Sequence, residues 1–263
     1  MLKIIPKRLK PRAEKIIAEE QAGFRAGRNT KEQIFNLRIL CEKYFQLQQD
    51  LYHVFIDFKN AFDRVWHAAL WATMKKYNIS TNLIQVIKNL YNKATSAVLF
   101  NSSIGDWFQT TVAVRQECLL SPTLFNIFLE RIMTDAFEDQ EGTVSIGGRT
   151  ITNLRFADDI DGLAGEEKEL ANLVERLYKV STAFGMEISA EKSKLMTNQS
   201  RGLESIPYLE PSSIMTEPRY LELVTVSNFC PFTLISVLMP LVLFVISLDF
   251  SALISMPKAV ETL

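Results

Sequence analysis

The chain has 263 residues, 48% hydrophobic content and a formal net charge of −1. This length allows one or two domains with a real core, and the balanced charge argues against a uniformly basic nucleic-acid binder, whose affinity depends on Lys and Arg. Three scattered cysteines show no zinc spacing and no disulfide framework, which fits a reducing compartment. The N-terminal stretch has charges but no apolar signal-peptide core, so an intracellular location, nuclear or cytoplasmic, is expected.

The first half of the chain is predicted to be mainly helical. Residues 1–50 read as helices, with Thr30 as an N-cap before apolar residues spaced near 3.6. A short buried strand is predicted over residues 54–58. A helix capped by Asp63 follows as far as about residue 77, and a second amphipathic helix covers residues 83–91.

The second half alternates hairpins with helices. A hairpin is predicted over residues 98–112, a helix beginning at Pro122, and a small hairpin over residues 143–154. A further hairpin covers residues 151–164, and a strongly periodic helix covers residues 166–184. This order predicts an α+β fold, an antiparallel sheet with helices on one face.

Paired acids stand at the turn of the last hairpin. Asp158 and Asp159 follow an apolar run, and Asp57 ends an earlier apolar run. Carboxylates on neighbouring strands can hold two divalent cations about 3.5–4 Å apart, an arrangement that suits nucleotidyl transfer. The alternative is a solvated turn, because Asp favours turns where it bonds to its own backbone.

Five sequence motifs occur in a fixed order, and together they are specific for one protein family although no single one is. They cover residues 20–30, 55–63, 114–126, 156–159 and 185–194. Through them the chain resembles the reverse transcriptase of non-LTR (LINE-type) retrotransposons, over about residues 16–198. The resemblance implies a right-hand polymerase palm with partial fingers. It also implies an RNA-directed DNA polymerase that uses an RNA template, a DNA primer and deoxynucleoside triphosphates.

The resemblance also assigns the acids. It implies that Asp57 and Asp158 bind two Mg²⁺ ions, with Mn²⁺ as a substitute, and that Asp159 supports them. The ions would activate the primer 3′-hydroxyl and stabilise the leaving pyrophosphate.

Five further residues match positions that bind nucleotide or template. Phe62 matches an aromatic steric gate against the ribose 2′-hydroxyl, although it could equally be a core residue. Arg25 and Arg28 match contacts to template or triphosphate, with a charged surface as the alternative. Gln116 matches a nucleotide contact, and Lys192 a proton donor to pyrophosphate.

One departure from the family pattern concerns Glu117, which stands where the family has a glycine. A carboxylate there adds bulk and negative charge beside a triphosphate, so an impaired polymerase is expected. A catalytically inactive relic with weak nucleic-acid binding is the alternative.

The predicted layout is partial fingers over residues 1–50, the palm over residues 51–202 and a non-family apolar tail over residues 203–263, with no recognisable thumb. The tail is interpreted as unrelated or frame-shifted sequence. Its uncharged run at residues 232–248 lies near the lower length of a membrane span, which leaves a small membrane-tethered protein as a further alternative.

Overall fold

A computed structural model of the chain describes residues 3–92, 95–115, 118–138, 140, 142–198 and 214–216. The described helices are α1 (Ile4–Ala13), α2 (Thr30–Gln46), α3 (His67–Lys76), α4 (Thr81–Asn92), α5 (Ser121–Phe137) and α6 (Glu167–Ala183). The described strands are β1 (Tyr52–Ile56), β2 (Thr95–Ser96), β3 (Leu99–Phe100), β4 (Ser103–Ile104), β5 (Phe108–Gln109), β6 (Ser145–Ile146), β7 (Arg149–Thr150), β8 (Asn153–Phe156), β9 (Asp159–Ala164), β10 (Lys194–Thr197) and β11 (Ile214–Thr216).

The centre of the fold is a five-stranded sheet in the order β11-β10-β1-β9-β8. Strand β1 lies in the middle and pairs antiparallel with both β9 and β10. Strands β8 and β9 form a tight hairpin, in which Phe156 pairs with Asp159 across a turn made of Ala157 and Asp158. The predicted α+β fold with an antiparallel sheet is confirmed.

The two sides of the sheet have separate cores, because successive strand residues point to opposite faces. On one side, Val54 and Ile56 of β1 pack into the large core formed with α1 and α3–α6. On the other side, Phe55 packs against a smaller core that includes Leu40 of α2 and Leu163 of β9. Most helices therefore cover one face, as predicted, and α2 covers part of the other.

Two details near β1 differ from the prediction. Instead of one helix from Asp63 onward, a short 3₁₀ turn (Ala61–Arg64) is followed by extended backbone at Val65, and α3 begins at His67. The backbone of Val65 is extended because its carbonyl accepts a hydrogen bond of 3.0 Å from the Ala113 N–H. This length is typical of backbone hydrogen bonds in sheets. A local helix signal was overridden by this long-range pairing.

The sheet continues past the predicted palm boundary at residue 202. Strand β11 pairs in parallel with β10, with Leu195 opposite Ile214 and Thr197 opposite Thr216. These three residues thus pair with the central sheet, and the boundary of the palm at residue 202 stays a prediction. The rest of the tail, including residues 232–248, lies outside the described residues. Within the described part of the chain, no helix combines the length and apolarity that a membrane crossing requires.

Candidate active site

The three predicted acids lie at the same end of neighbouring strands. The last ladder pair of β1 and β9 is Ile56 opposite Ile160. Continuing this register by one residue would set Asp57 opposite Asp159, and Asp158 is the adjoining turn residue. Directly opposed residues of an antiparallel pair have Cα atoms about 4.5–5.5 Å apart. Asp57 therefore lies one residue beyond the β1–β9 ladder, at the end of β9 that carries the Asp158–Asp159 turn. That the three carboxyl groups share metal ions stays a prediction.

Asp57 is a buried carboxyl group beside a lysine. Its relative exposure is 2%, and its Oδ2 atom lies 3.4 Å from the Nζ atom of Lys192, whose side chain is half exposed. Burial raises the pKa of Asp57, and the Lys192 ammonium acts in the opposite direction. The Asp57 carbonyl accepts a 2.8 Å hydrogen bond from the Ser189 N–H, which fixes the segment carrying Lys192 to the end of β1. Lys192 therefore lies beside the first predicted acid.

The donor chemistry at this edge fits a hard divalent cation. The buried Oδ2 atom of Asp57 accepts no well-aligned hydrogen bond from the described residues, and carboxylate oxygens are ligands that Mg²⁺ prefers. In the described ranges, no three His, Cys, Asp or Glu side chains are grouped so that they alone could hold a metal ion. Such a group is not required, because Mg²⁺ usually takes one or two carboxylates together with substrate phosphates and water.

Phe62 lies in an aromatic cluster next to β1. Its ring stacks on Phe125 of α5 with centroids 4.4 Å apart, and Phe24 meets it edge-on at 6.0 Å. Phe62 is only partly buried, whereas Phe125 is fully buried. Its packing role is therefore observed, and its role as a steric gate stays a prediction.

The two predicted arginines differ in their surroundings. Arg25 has an 8% exposed side chain and donates from Nε to Glu14 at 2.9 Å, and from Nη1 to the carbonyls of Ala18 and Gln21 at 2.7 and 3.0 Å. Arg28 donates its backbone N–H to the Arg25 carbonyl at 3.4 Å. Their contacts to template or triphosphate remain predictions.

The predicted nucleotide contact Gln116 lies outside the described residues, as does Glu117.

Comparison with known proteins assigns the family. A family model described as reverse transcriptase (RNA-dependent DNA polymerase) matches residues 1–221. The chain belongs to the reverse transcriptase family. The match also runs past residue 202, and the predicted division into fingers, palm and tail stays a prediction.

The relatives of this reverse transcriptase are retrotransposon proteins. The type-1 retrotransposable element R2 Pol polyprotein of Popillia japonica is 26% identical over 178 residues, covering 66% of this chain and 29% of that protein. The RNA-directed DNA polymerase from mobile element jockey of Drosophila funebris is 27% identical over 144 residues, covering 55% and 15%. The predicted kinship with non-LTR retrotransposon reverse transcriptases is confirmed. The chain spans less than a third of the length of these relatives.

Solved structures agree on the fold of this reverse transcriptase. Apo telomerase from Candida tropicalis, truncated from its C-terminal domain, superposes with a TM-score of 0.61 at 16% identity. The superposition covers 77% of this chain and 41% of the telomerase chain. At this identity the similarity concerns the fold, and the predicted palm and partial fingers are confirmed at that level.

A polar network next to the Ala157–Asp158 turn of this reverse transcriptase was missed by the sequence interpretation. Arg155 of β8 forms a buried ion pair with Glu130 of α5, with Nη1 and Oε2 3.2 Å apart. Gln21, which is 1% exposed, hydrogen-bonds the backbone of Ala157. The available signals were an acid within the apolar stretch of α5 and a glutamine inside the finger motif.

A second buried pair joins β1 and β9 further from the turn. His53 Nδ1 lies 3.4 Å from an Asp161 carboxylate oxygen, and its Nε2 lies 3.8 Å from Cys41 Sγ. Burial disfavours the imidazolium, but the attraction of Asp161 outweighs it and raises the pKa of His53 to about 10. Burial raises the pKa of Asp161, opposed by His53. The pair is a polar element next to the smaller core.

Proposed function

We propose that this chain is the RNA-directed DNA polymerase domain of a retrotransposon, which adds deoxynucleotides to a DNA primer on an RNA template. The observation that supports the proposal is the β1–β9 register in a reverse transcriptase fold: its last pair, Ile56 and Ile160, directly adjoins the buried Asp57 and the Asp158–Asp159 turn. A sheet edge with several carboxyl groups suits a reaction whose main requirement is to position phosphates and neutralise charge.

In this proposal Asp57 and Asp158 hold two Mg²⁺ ions, for which Mn²⁺ could substitute, and Asp159 supports them. When bound, the ions would supply charge neutralisation on the triphosphate and activation of the primer 3′-hydroxyl. Asp57 must be ionised to take part, and its burial opposes ionisation. Lys192, 3.4 Å away, favours the ionised form and is positioned to donate a proton to a leaving group near Asp57.

The proposed nucleotide pocket adjoins the same edge. Phe62 is held in place by its stack on Phe125. A ring fixed in this way could crowd a ribose 2′-hydroxyl and favour deoxynucleotides. Arg28 and Gln116 are proposed contacts to template or nucleotide.

The test is primer extension on an RNA template. The chain should extend the primer in the presence of Mg²⁺, and Asp57→Asn should lower the rate at least 1000-fold, roughly the effect of losing an essential catalytic group. Asp106→Asn is the matched control, because Asp106 is an exposed aspartate in the loop before β5; its rate should stay within twofold. Equal rates for the Asp57 variant and the parent chain would overturn the proposal.

An inactive relic is the second candidate, and the presence of Glu117 in the sequence favours it. A like charge near 4 Å from a triphosphate costs roughly 1–4 kcal/mol, and each 1.4 kcal/mol is about tenfold in rate. Glu117→Gly should therefore speed primer extension at least tenfold at low dNTP concentration, and less at saturation if nucleotide affinity is the cause. If neither the parent chain nor the Glu117 variant extends a primer, the relic is the better description.

A further inference from the structure

The turn that carries Asp158 contains a strained residue. Ala157, the first of its two residues, has φ of +58°, a left-handed conformation that alanine rarely adopts because its Cβ meets the backbone. Asp158 follows directly, so the direction of its carboxylate depends on this one backbone conformation. Contacts from elsewhere in the chain must hold Ala157 in it.

The contacts come from one side chain, the carboxamide of Gln21. Its Oε1 accepts the Ala157 N–H at 2.9 Å, and its Nε2 donates to the Ala157 carbonyl at 2.9 Å. Both backbone groups of the strained residue are thus bound by a single amide. Gln21 is 1% exposed and Ala157 6%, so water cannot easily replace these bonds, and losing them would leave buried polar groups unsatisfied.

Gln21 is itself fixed by the backbone around it. The Ala22 N–H donates to the Arg155 carbonyl, and the Arg155 N–H donates to the Glu20 carbonyl, each at 2.9 Å. Gly23 allows the close approach, because a Cβ there would lie 2.1 Å from the Ala157 nitrogen. The Gly23 N–H also donates to Gln21 Oε1 at 2.8 Å. The segment before α2 is therefore docked against the catalytic turn with its amide already oriented.

We propose that Gln21 is a positioning residue for catalysis, which holds the Ala157 turn in the conformation that presents Asp158. The inference rests on the proposed polymerase function. Gln21 acts through the turn backbone and needs no contact with nucleotide or template.

The first test is Gln21→Met, which keeps the length of the side chain and removes its hydrogen bonds. Primer extension should show kcat lowered about 10- to 100-fold, since a misplacement near 1 Å can cost about 100-fold, while the dNTP KM stays within about threefold. Gln33→Met is the matched control: Gln33 donates to the Glu20 and Arg155 carbonyls at 2.7 and 3.0 Å but not to Ala157. Its kcat should change less than threefold.

The second test is rescue by Ala157→Gly. Glycine adopts positive φ without steric cost. Ala157→Gly should therefore raise the kcat of the Gln21→Met chain at least fivefold, and should change the kcat of the parent chain less than twofold. Because relief of strain at residue 157 also stabilises the fold, the unfolding midpoints of all four chains are measured, and the rescue of kcat should persist where every chain is fully folded. An absence of rescue, or an unchanged kcat in Gln21→Met, would overturn the proposal.

A third measurement does not depend on catalysis. Mn²⁺ binding, followed by the electron paramagnetic resonance signal of free Mn²⁺, should weaken about tenfold in Gln21→Met and recover with Ala157→Gly, with Asp158→Asn as the reference. All assays run well below each variant's unfolding midpoint, and Gln21→Asn replaces the Met variant if that does not fold.

A parent chain that binds Mn²⁺ in this Gln21-dependent way but extends no primer contradicts the proposed function alone. An active parent chain with Gln21-independent kcat and Mn²⁺ binding contradicts the positioning role alone.

Discussion

The buried ion pair between Arg155 and Glu130 gives the sharpest stability prediction. It joins β8, the strand before the Ala157–Asp158 turn, to helix α5, and the two side chains are 3% and 8% exposed. Glu130 Oε2 accepts hydrogen bonds from Arg155 Nη1 at 3.2 Å and from the Ala18 N–H at 3.1 Å. The pair therefore ties α5, β8 and the segment after α1 together at one carboxylate.

Removing either charge alone leaves the other one buried without its partner, which typically costs about 3–5 kcal/mol. We expect Arg155→Met and Glu130→Gln each to lower the free energy of unfolding by about that amount. The double variant has no buried charge, and its glutamine can still accept from the Ala18 N–H. It should therefore lose only about 1–2 kcal/mol, a strong positive coupling between the two sites.

Urea denaturation followed by circular dichroism measures all four members of this cycle. The surface pair of Arg38 and Glu42 on α2 is the control, with atoms 2.6 Å apart and side chains about a third exposed. Arg38→Met should cost less than about 0.5 kcal/mol, the usual worth of an exposed helical pair. A cost below about 1 kcal/mol for Arg155→Met, or a double variant as unstable as the worse single one, would refute the reasoning.

Three further predictions concern stability. The pKa of His53 is raised from 6.5 to about 10, so the stability that protonated His53 contributes is fully present below pH 6.5 and is lost as the pH rises towards 10. In denaturant melts the free energy of unfolding should fall by at most about 1.4 kcal/mol per pH unit over this range. His53→Gln, which has no imidazole beside Asp161, should flatten this slope. Gly23→Ala should cost at least about 1–3 kcal/mol in the same melts, since the added methyl meets turn backbone at 2.1 Å, and a neutral result would contradict the close approach. Asn29→Ala should cost about 1 kcal/mol, because its side chain accepts the Glu32 N–H at 3.1 Å as the N-cap of α2, whereas Thr30→Ala should cost less.

The parts of the fold that were predicted correctly depend on short-range patterns. The helical period of residues 166–184 gave α6 almost to the residue, because one apolar stripe must face the core. Apolar runs ending in acids predicted β1 and the β8–β9 hairpin, which the structure pairs with each other. In each case the signal lies within one element and its immediate ends.

The parts that were missed depend on contacts between distant segments. Val65 is extended because its carbonyl accepts a hydrogen bond from the Ala113 N–H, 48 residues further along the chain. No local sequence pattern indicates that partner. The left-handed Ala157 was equally invisible, since alanine gives no sign of positive φ and its support comes from Gln21. Strain held by a remote side chain leaves no periodic trace in the sequence.

The finger motif at residues 20–30 is best understood from the inside of the molecule. Gln21 binds the catalytic turn, Gly23 permits the contact, and Arg25 uses three of its N–H donors on Glu14 and two backbone carbonyls. Each of these residue types is thus required by an internal contact, whether or not the motif touches nucleic acid. Arg25→Ala would mix a loss of stability with any loss of binding. Arg28 donates its backbone N–H to the Arg25 carbonyl, and its charge attracts that of Glu19. Its substitution should therefore disturb the fold less than Arg25→Ala and is the better test of a template or triphosphate contact.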